Sequence, residues 1–255
     1  MYVRDLGAGP TVLLLHGTPS PSADWLPVAE RLATRYRVLV PDLPGYGESP
    51  PPETADYEAV DEQIAAMLDS HGGRELRAIA GFSSGAYRAF EMVLRKRVTA
   101  DLIIGLGAFV TFDNEARELR RQLSDRIDAD PSYYYGDDMR AFLREVMLSP
   151  TWRDAHPEDM ERVLAWLQVT TPGPIAAEAR AMASLADLRP ELPGLRTRVY
   201  LRVGAADPVC PPSTSDEICR LVPRATMDVV PGCGHTLFIE DGPGTVEAIA
   251  REIEA

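Results

Sequence analysis

Lysine is nearly absent from this chain. Lys96 is the only one, and arginine carries the rest of the basic charge. Basic residues number 26 against 39 acidic ones, a formal net charge of −13 at pH 7. Nucleic acids and anionic membrane surfaces require clustered Lys and Arg, so this balance speaks against both as partners. Its plain consequence is solubility. Cysteine is also scarce: Cys210, Cys219 and Cys233 cannot all pair with one another, and they show no metal-ligand spacing. No metal or other cofactor is expected. The longest apolar runs, such as LIIGLGAFV, fall well short of a bilayer span. The opening MYVRDLGAGP lacks the basic-then-apolar order of a secretory signal. A reduced, cytoplasmic protein with a small-molecule partner is expected, with monomer and homodimer both compatible with the composition.

What is present is an alternation. Six apolar runs end in turns: Thr11–Gly17, Arg37–Asp42, Leu76–Gly81, Asp101–Gly107, Thr197–Gly204 and Ala225–Gly232. Strands buried on both faces read as continuous Val/Ile/Leu runs, as a parallel sheet covered by helices requires. Helical stretches separate them, over 23–35, 56–70, 84–97, 213–221 and 243–253. In the second, Val60, Ile64, Met67 and Leu68 recur at helical spacing. The pattern predicts an α/β fold built on a doubly wound, mostly parallel sheet. Residues 113–189 break the rhythm, with aromatics, interspersed charges and frequent prolines but no convincing strand. They are expected to form an inserted cap of several short helices, with residues 1–112 and 190–255 as the core. SPPPE, residues 49–53, reads as a stiff exposed loop.

The stretch GFSSG places Ser83 between Gly81 and Gly85, directly after a strand-like run and before a helix-like one. In that context Gly-x-Ser-x-Gly marks a nucleophile elbow, a strained turn that lifts the central hydroxyl above the strand end. The competing reading is a tight turn with serines capping a helix. A hydroxyl near neutral pH needs a positioned base. Of four histidines, His71 and His156 read as surface residues, and His16 as a structural residue ending a strand. His235 lies in a glycine-rich loop after the last strand, at the sheet end where open α/β sheets present reactive groups. Asp207, just past the penultimate strand, is the candidate acid; its other reading is a turn aspartate before Pro208. Asp113 is the fallback acid. The order Ser83, Asp207, His235 is the one in which such a sheet delivers a triad. Oxyanion donors are expected from the backbone N–H of Thr18, in HGTP, and of Ser84; Pro19 has none.

Taken together, LLLHGTP, VLVPDLPGYGES, GFSSG, LRVGAADPVCPP and GCGHTLFIEDGP resemble the α/β-hydrolase superfamily, in its order and across nearly the whole chain outside 113–189. The resemblance implies that the 113–189 region is the variable helical cap of such proteins. It gives Asp42, Gly45 and Gly47 a structural role in the loop after the second strong strand. Many relatives place two strands before LLLHG, whereas about ten residues precede it here, so at least the first should be missing or very short. Members that open epoxides or displace halide carry aspartate at the elbow, and Ser83 argues against both activities.

The expected activity is hydrolysis of a carboxylic ester, thioester or lactone through a serine acyl-enzyme. The cap's Tyr, Trp and Met suggest a small apolar substrate, or simply fill the cap's own interior. Cofactor-free C–C hydrolysis or perhydrolysis on the same residues is the second enzymatic reading. A silent ligand sensor on this fold is the reading outside enzymes. Cys210 and Cys233 flank Asp207 and His235; packing is expected of them rather than a disulfide.

Overall fold

The computed structural model describes residues 1–52 and 56–255; Glu53, the end of the expected stiff loop, lies outside them. The strands are β1 (Val3–Gly7), β2 (Thr11–Leu15), β3 (Arg37–Pro41), β4 (Glu75–Phe82), β5 (Thr99–Leu106), β6 (Arg198–Gly204) and β7 (Ala225–Val230). They form a seven-stranded sheet in the order β1-β3-β2-β4-β5-β6-β7. Every pairing is parallel except that of β1 with β3. The run Val12–Leu15 is fully buried, as are Val38–Val40 and Ile103–Ile104. Continuous burial is what a strand with helices on both faces requires.

One strand, β1, precedes LLLHG. No apolar run announces it, because VRDLG is an edge strand with one side towards water. Its Asp5 pairs with Arg37 of β3 at 2.5 Å, and charge on an edge discourages pairing with other chains.

The helices are α1 (Leu26–Leu32), α2 (Tyr57–Ser70), α3 (Ser84–Leu94), α4 (Asn114–Ala129), α5 (Asp137–Val146), α6 (Pro150–Ala155), α7 (Pro157–Ala165), α8 (Pro172–Ala183), α9 (Pro212–Leu221), α10 (Leu237–Glu240) and α11 (Gly242–Glu254). Packing of α1 on α11 and of α3 across β4 and β5 covers the sheet. The helix expected over 23–35 is shorter than its pattern: a 3₁₀ turn at Ser22–Trp25 precedes α1, where Pro27 occupies the first turn.

Between β5 and β6 the described chain is helical, α4 to α8. The prolines that punctuate this region explain themselves: Pro150, Pro157 and Pro172 each open a helix, where a missing N–H costs nothing. The first helix, α4, runs 16 residues, longer than the short helices expected. Tyr134, Met139, Met160 and Trp166 are buried in the hydrophobic cluster that also holds the sheet's core residues.

Asp24, in the turn before α1, has one carboxylate oxygen shut from solvent with no hydrogen-bond partner among the described residues. Burial raises its pKa to about 7, against the pull of Arg162 from α7. The unfolded value is about 3.9. The uncharged form therefore favours folding; its contribution is complete below about pH 4 and is lost as pH rises through about 7. Asp24→Asn should flatten the stability decline between pH 4 and 8 and raise the urea midpoint at pH 8. Equal declines in both proteins would contradict this.

Candidate active site

The site begins where β4 meets α3. Ser83, the single residue between them, has φ 52° and ψ −116°, a conformation a side chain rarely adopts. Its neighbours impose it. A Cβ on Gly81 would lie 2.2 Å from the Gly85 carbonyl, and one on Gly85 would lie 2.5 Å from the carbonyl oxygens of Leu15 and His16. The first turn of α3 thus lies directly against its own strand and against the end of β2. Only glycine fits at either contact. The Ser83 N–H donates to Leu106 O at 2.9 Å, tying the elbow to the end of β5.

The loop after β2 abuts Ser83: a Cβ on Gly17 would stand 3.0 Å from that of Ser83. His16 holds this loop. Its Nε2 accepts from the Leu43 N–H at 3.0 Å, so Nδ1 carries the proton and donates to Gly17 O at 3.0 Å. Burial lowers its pKa, which keeps the ring neutral, in line with the structural role expected of it. Thr18 Oγ1 lies 3.2 Å from Ser84 Oγ, so the two expected oxyanion residues meet through their side chains. Ser84 is the first residue of α3, and its N–H has no acceptor a turn earlier. The Tyr46 hydroxyl donates to Glu178 Oε2 of α8 at 2.5 Å and lies 3.3 Å from Thr18 Oγ1. Burial, reinforced by Glu178, raises the Tyr46 pKa well above the usual phenol value. Asp42 behaves as the resemblance implied: it accepts from the Glu48 N–H at 2.9 Å, and Gly47 leaves it room.

Asp207 and His235 come together from the loops after β6 and β7. His235 Nδ1 is 2.7 Å from Asp207 Oδ2, and both side chains are buried. The other oxygen, Oδ1, accepts from the N–H groups of Val209 and Cys210 at 2.8 Å each, which fixes the carboxylate. Phe82, next to Ser83, lies 4.9 Å ring to ring from His235. Asp113, the fallback acid, instead caps α4 by accepting from the Ala116 N–H at 2.8 Å. His71 ends α2, and His156 stacks on Trp152 at 4.2 Å. The cysteines are free; burial raises the thiol of Cys210 well above its usual value and that of Cys233 to about 11.

Two positioning features escaped the sequence reading. Gly107, at φ 52°, backs the imidazole: a Cβ there would come 3.0 Å from His235 Nδ1. Glu240, in α10, is a buried carboxylate that accepts from the Gly234 N–H at 2.9 Å and from the Ser149 N–H, between α5 and α6, at 3.1 Å. Thr236 donates through both N–H and hydroxyl to Met147 O, at 3.0 and 2.6 Å. The loop bearing His235 is therefore stitched to the Met147–Ser149 segment on both sides. The available signal was an acid inside the apolar run HTLFIE.

Among the described residues, no group of three or more His, Cys, Asp or Glu side chains could hold a metal ion, and no helix is long and apolar enough to cross a membrane.

The fold agrees with comparisons to known proteins. The profile of the alpha/beta hydrolase family matches residues 12–249, and the chain belongs to that family. A pimeloyl-[acyl-carrier protein] methyl ester esterase of Nitrosomonas europaea is similar to it, 26% identical over 246 residues and 94% of each chain. A solved thermophilic esterase of Thermogutta terrifontis is 28% identical, with a TM-score of 0.89 over 100% of this chain and 94% of that one. The enol-lactonase of Burkholderia xenovorans shares the fold, with a TM-score of 0.86 at 16% identity over 100% of this chain and 96% of its own.

Glu240→Gln replaces one acceptor oxygen by a donor that would face a backbone N–H. Losing a hydrogen bond to a charged group costs about 1.5–3 kcal/mol. The variant should therefore fall roughly ten- to hundredfold in kcat as the His235 loop loosens. Steady-state kinetics on an activated ester check this, and an unchanged kcat would remove Glu240 from the positioning of His235.

Proposed function

We propose that this α/β-hydrolase is a carboxylic ester hydrolase that works through an acyl-enzyme on Ser83. In this reading the Ser83 hydroxyl attacks the ester carbonyl and passes its proton to Nε2 of His235. Asp207 holds the imidazole by Nδ1 and offsets the charge it gains. The N–H groups of Thr18 and Ser84 receive the developing oxyanion, a contribution worth about 3–4 kcal/mol per donor in known cases. His235 then gives its proton to the departing alcohol. Water, activated by the same imidazole, releases the acid and regenerates Ser83. The observation that carries the reading is the buried 2.7 Å contact between His235 and Asp207, with a serine at positive φ next to Phe82, whose ring lies 4.9 Å from that of His235.

The esterase names of the N. europaea and T. terrifontis relatives support an ester over a C–C bond or a perhydrolysis reaction, and hydrolysis over silent ligand sensing. The N. europaea relative is named for a methyl ester, which supports a small alcohol as leaving group. We assign residues 113–189 as the cap over this site, and Asp113 to helix capping rather than to the triad.

Rapid mixing with p-nitrophenyl esters tests the assignment. Wild type should release a burst of phenolate close to one equivalent, absent in Ser83→Ala, and Asp207→Asn should lower kcat by about 10³- to 10⁴-fold. Turnover that survives Ser83→Ala would sink the proposal.

A further inference from the structure

The arginines of α4 differ in what they hold. Arg117 gives its three nitrogens to the carbonyls of Phe112, Ala183 and Leu185 at 3.0, 3.0 and 2.8 Å. Arg121 pairs with Glu118 at 3.0 Å, and Arg126 reaches the Tyr133 hydroxyl at 3.1 Å. Arg120 has one hydrogen bond, to Ala116 O of its own helix at 2.9 Å, and no carboxylate partner among the described residues. Its guanidinium carbon lies over the Phe112 ring, 3.5 Å from the centroid. Stacking holds the group in place while leaving most of its N–H fork unused.

The stacked rings lead from Arg120 to the proposed site. Phe112 stacks on Phe109 at 4.2 Å, Phe109 on Tyr87 at 5.6 Å, and Tyr87 meets Tyr57 edge-on at 5.7 Å. Phe109 lies two residues beyond Gly107, which backs His235. The charge neighbours of Arg120 are Cys210, whose N–H holds Asp207, Tyr57 of α2, and Asp113 and Arg117 of its own segment. Asp113 already caps α4. Burial lowers the Arg120 pKa from its ordinary value, the mark of a cation short of solvent. A second polar group at this seam is unfulfilled. The Tyr57 hydroxyl lies near that of Ser84, is buried, and has no hydrogen-bond partner among the described residues. An unpaired guanidinium and an orphaned hydroxyl are costly to keep away from water. A planar anion answers both, because the guanidinium fork matches the two oxygens of a carboxylate.

We propose that Arg120, with the Tyr57 hydroxyl, forms a subsite for a free carboxylate on the acyl part of the substrate. The preferred substrates are then monoesters of dicarboxylic acids, with Phe109 and Phe112 along the acyl chain. This rests on the ester-hydrolase reading and replaces a wholly apolar substrate with one that is apolar in the middle and anionic at its end.

The test is kcat/KM for monomethyl succinate, glutarate and adipate beside chain-matched neutral methyl esters. Wild type should prefer the anionic series. In Arg120→Met the anionic-over-neutral ratio should fall about ten- to hundredfold, through KM, as expected for a lost charge-assisted pair. Tyr57→Phe should lower the ratio several-fold. A general packing role would lower both series together and leave the ratio unchanged, which would overturn the subsite, as would a wild-type preference for neutral esters. If wild type turns over neither series, adipate is titrated calorimetrically into Ser83→Ala with and without Arg120→Met. Binding that needs Arg120 would support the subsite while the ester-hydrolase reading fails. Equal binding, or none, would overturn the subsite.

Discussion

A helix can start one residue after a strand ends only where backbone meets backbone with no side chain between. In this protein that contact is made twice, by Gly81 against Gly85 and by Gly85 against the end of β2. It leaves Ser83 no ordinary conformation, and the residue stands at φ 52° because the glycine contacts and the bond to Leu106 over-determine it. The adjoining features follow from that approach. The loop after β2 is drawn up against Ser83, Ser84 falls at the open start of α3, and Phe82 is carried against the imidazole of His235.

Around this fixed point the helical region between β5 and β6 shares hydrogen bonds with the rest of the chain. Glu240 and Thr236 bind the loop of His235 to the Met147–Ser149 segment. Across the site, Glu178 of α8 holds Tyr46, which contacts Thr18, which in turn meets Ser84. A displacement of α8 would therefore be felt at the two residues assigned to the oxyanion. The region between β5 and β6 is thus tied by hydrogen bonds to the loops that carry the candidate residues.

What could be read from the sequence was whatever depends on local pattern. Continuous apolar runs marked β2 to β7, and glycines flanking Ser83 marked the elbow. Asp207 and His235 declared themselves by lying in turn-rich loops past strand ends, and they do meet. The edge strand β1 was not legible, since VRDLG has one wet side and carries charge. Asp113 illustrates a different limit. An aspartate between a strand end and a helix suits either an acid or a cap, and only the Ala116 contact separates the two. Gly107 gains its role from a partner far away in the chain, His235, which no local pattern encodes.

The central claim is that this strained serine is an activated nucleophile. Intact mass after treatment with a fluorophosphonate tests it most directly, on wild type and on Ser83→Ala. One adduct on wild type and none on the variant is the predicted result. A folded wild type that takes no adduct, or labelling that persists without the Ser83 hydroxyl, would contradict it.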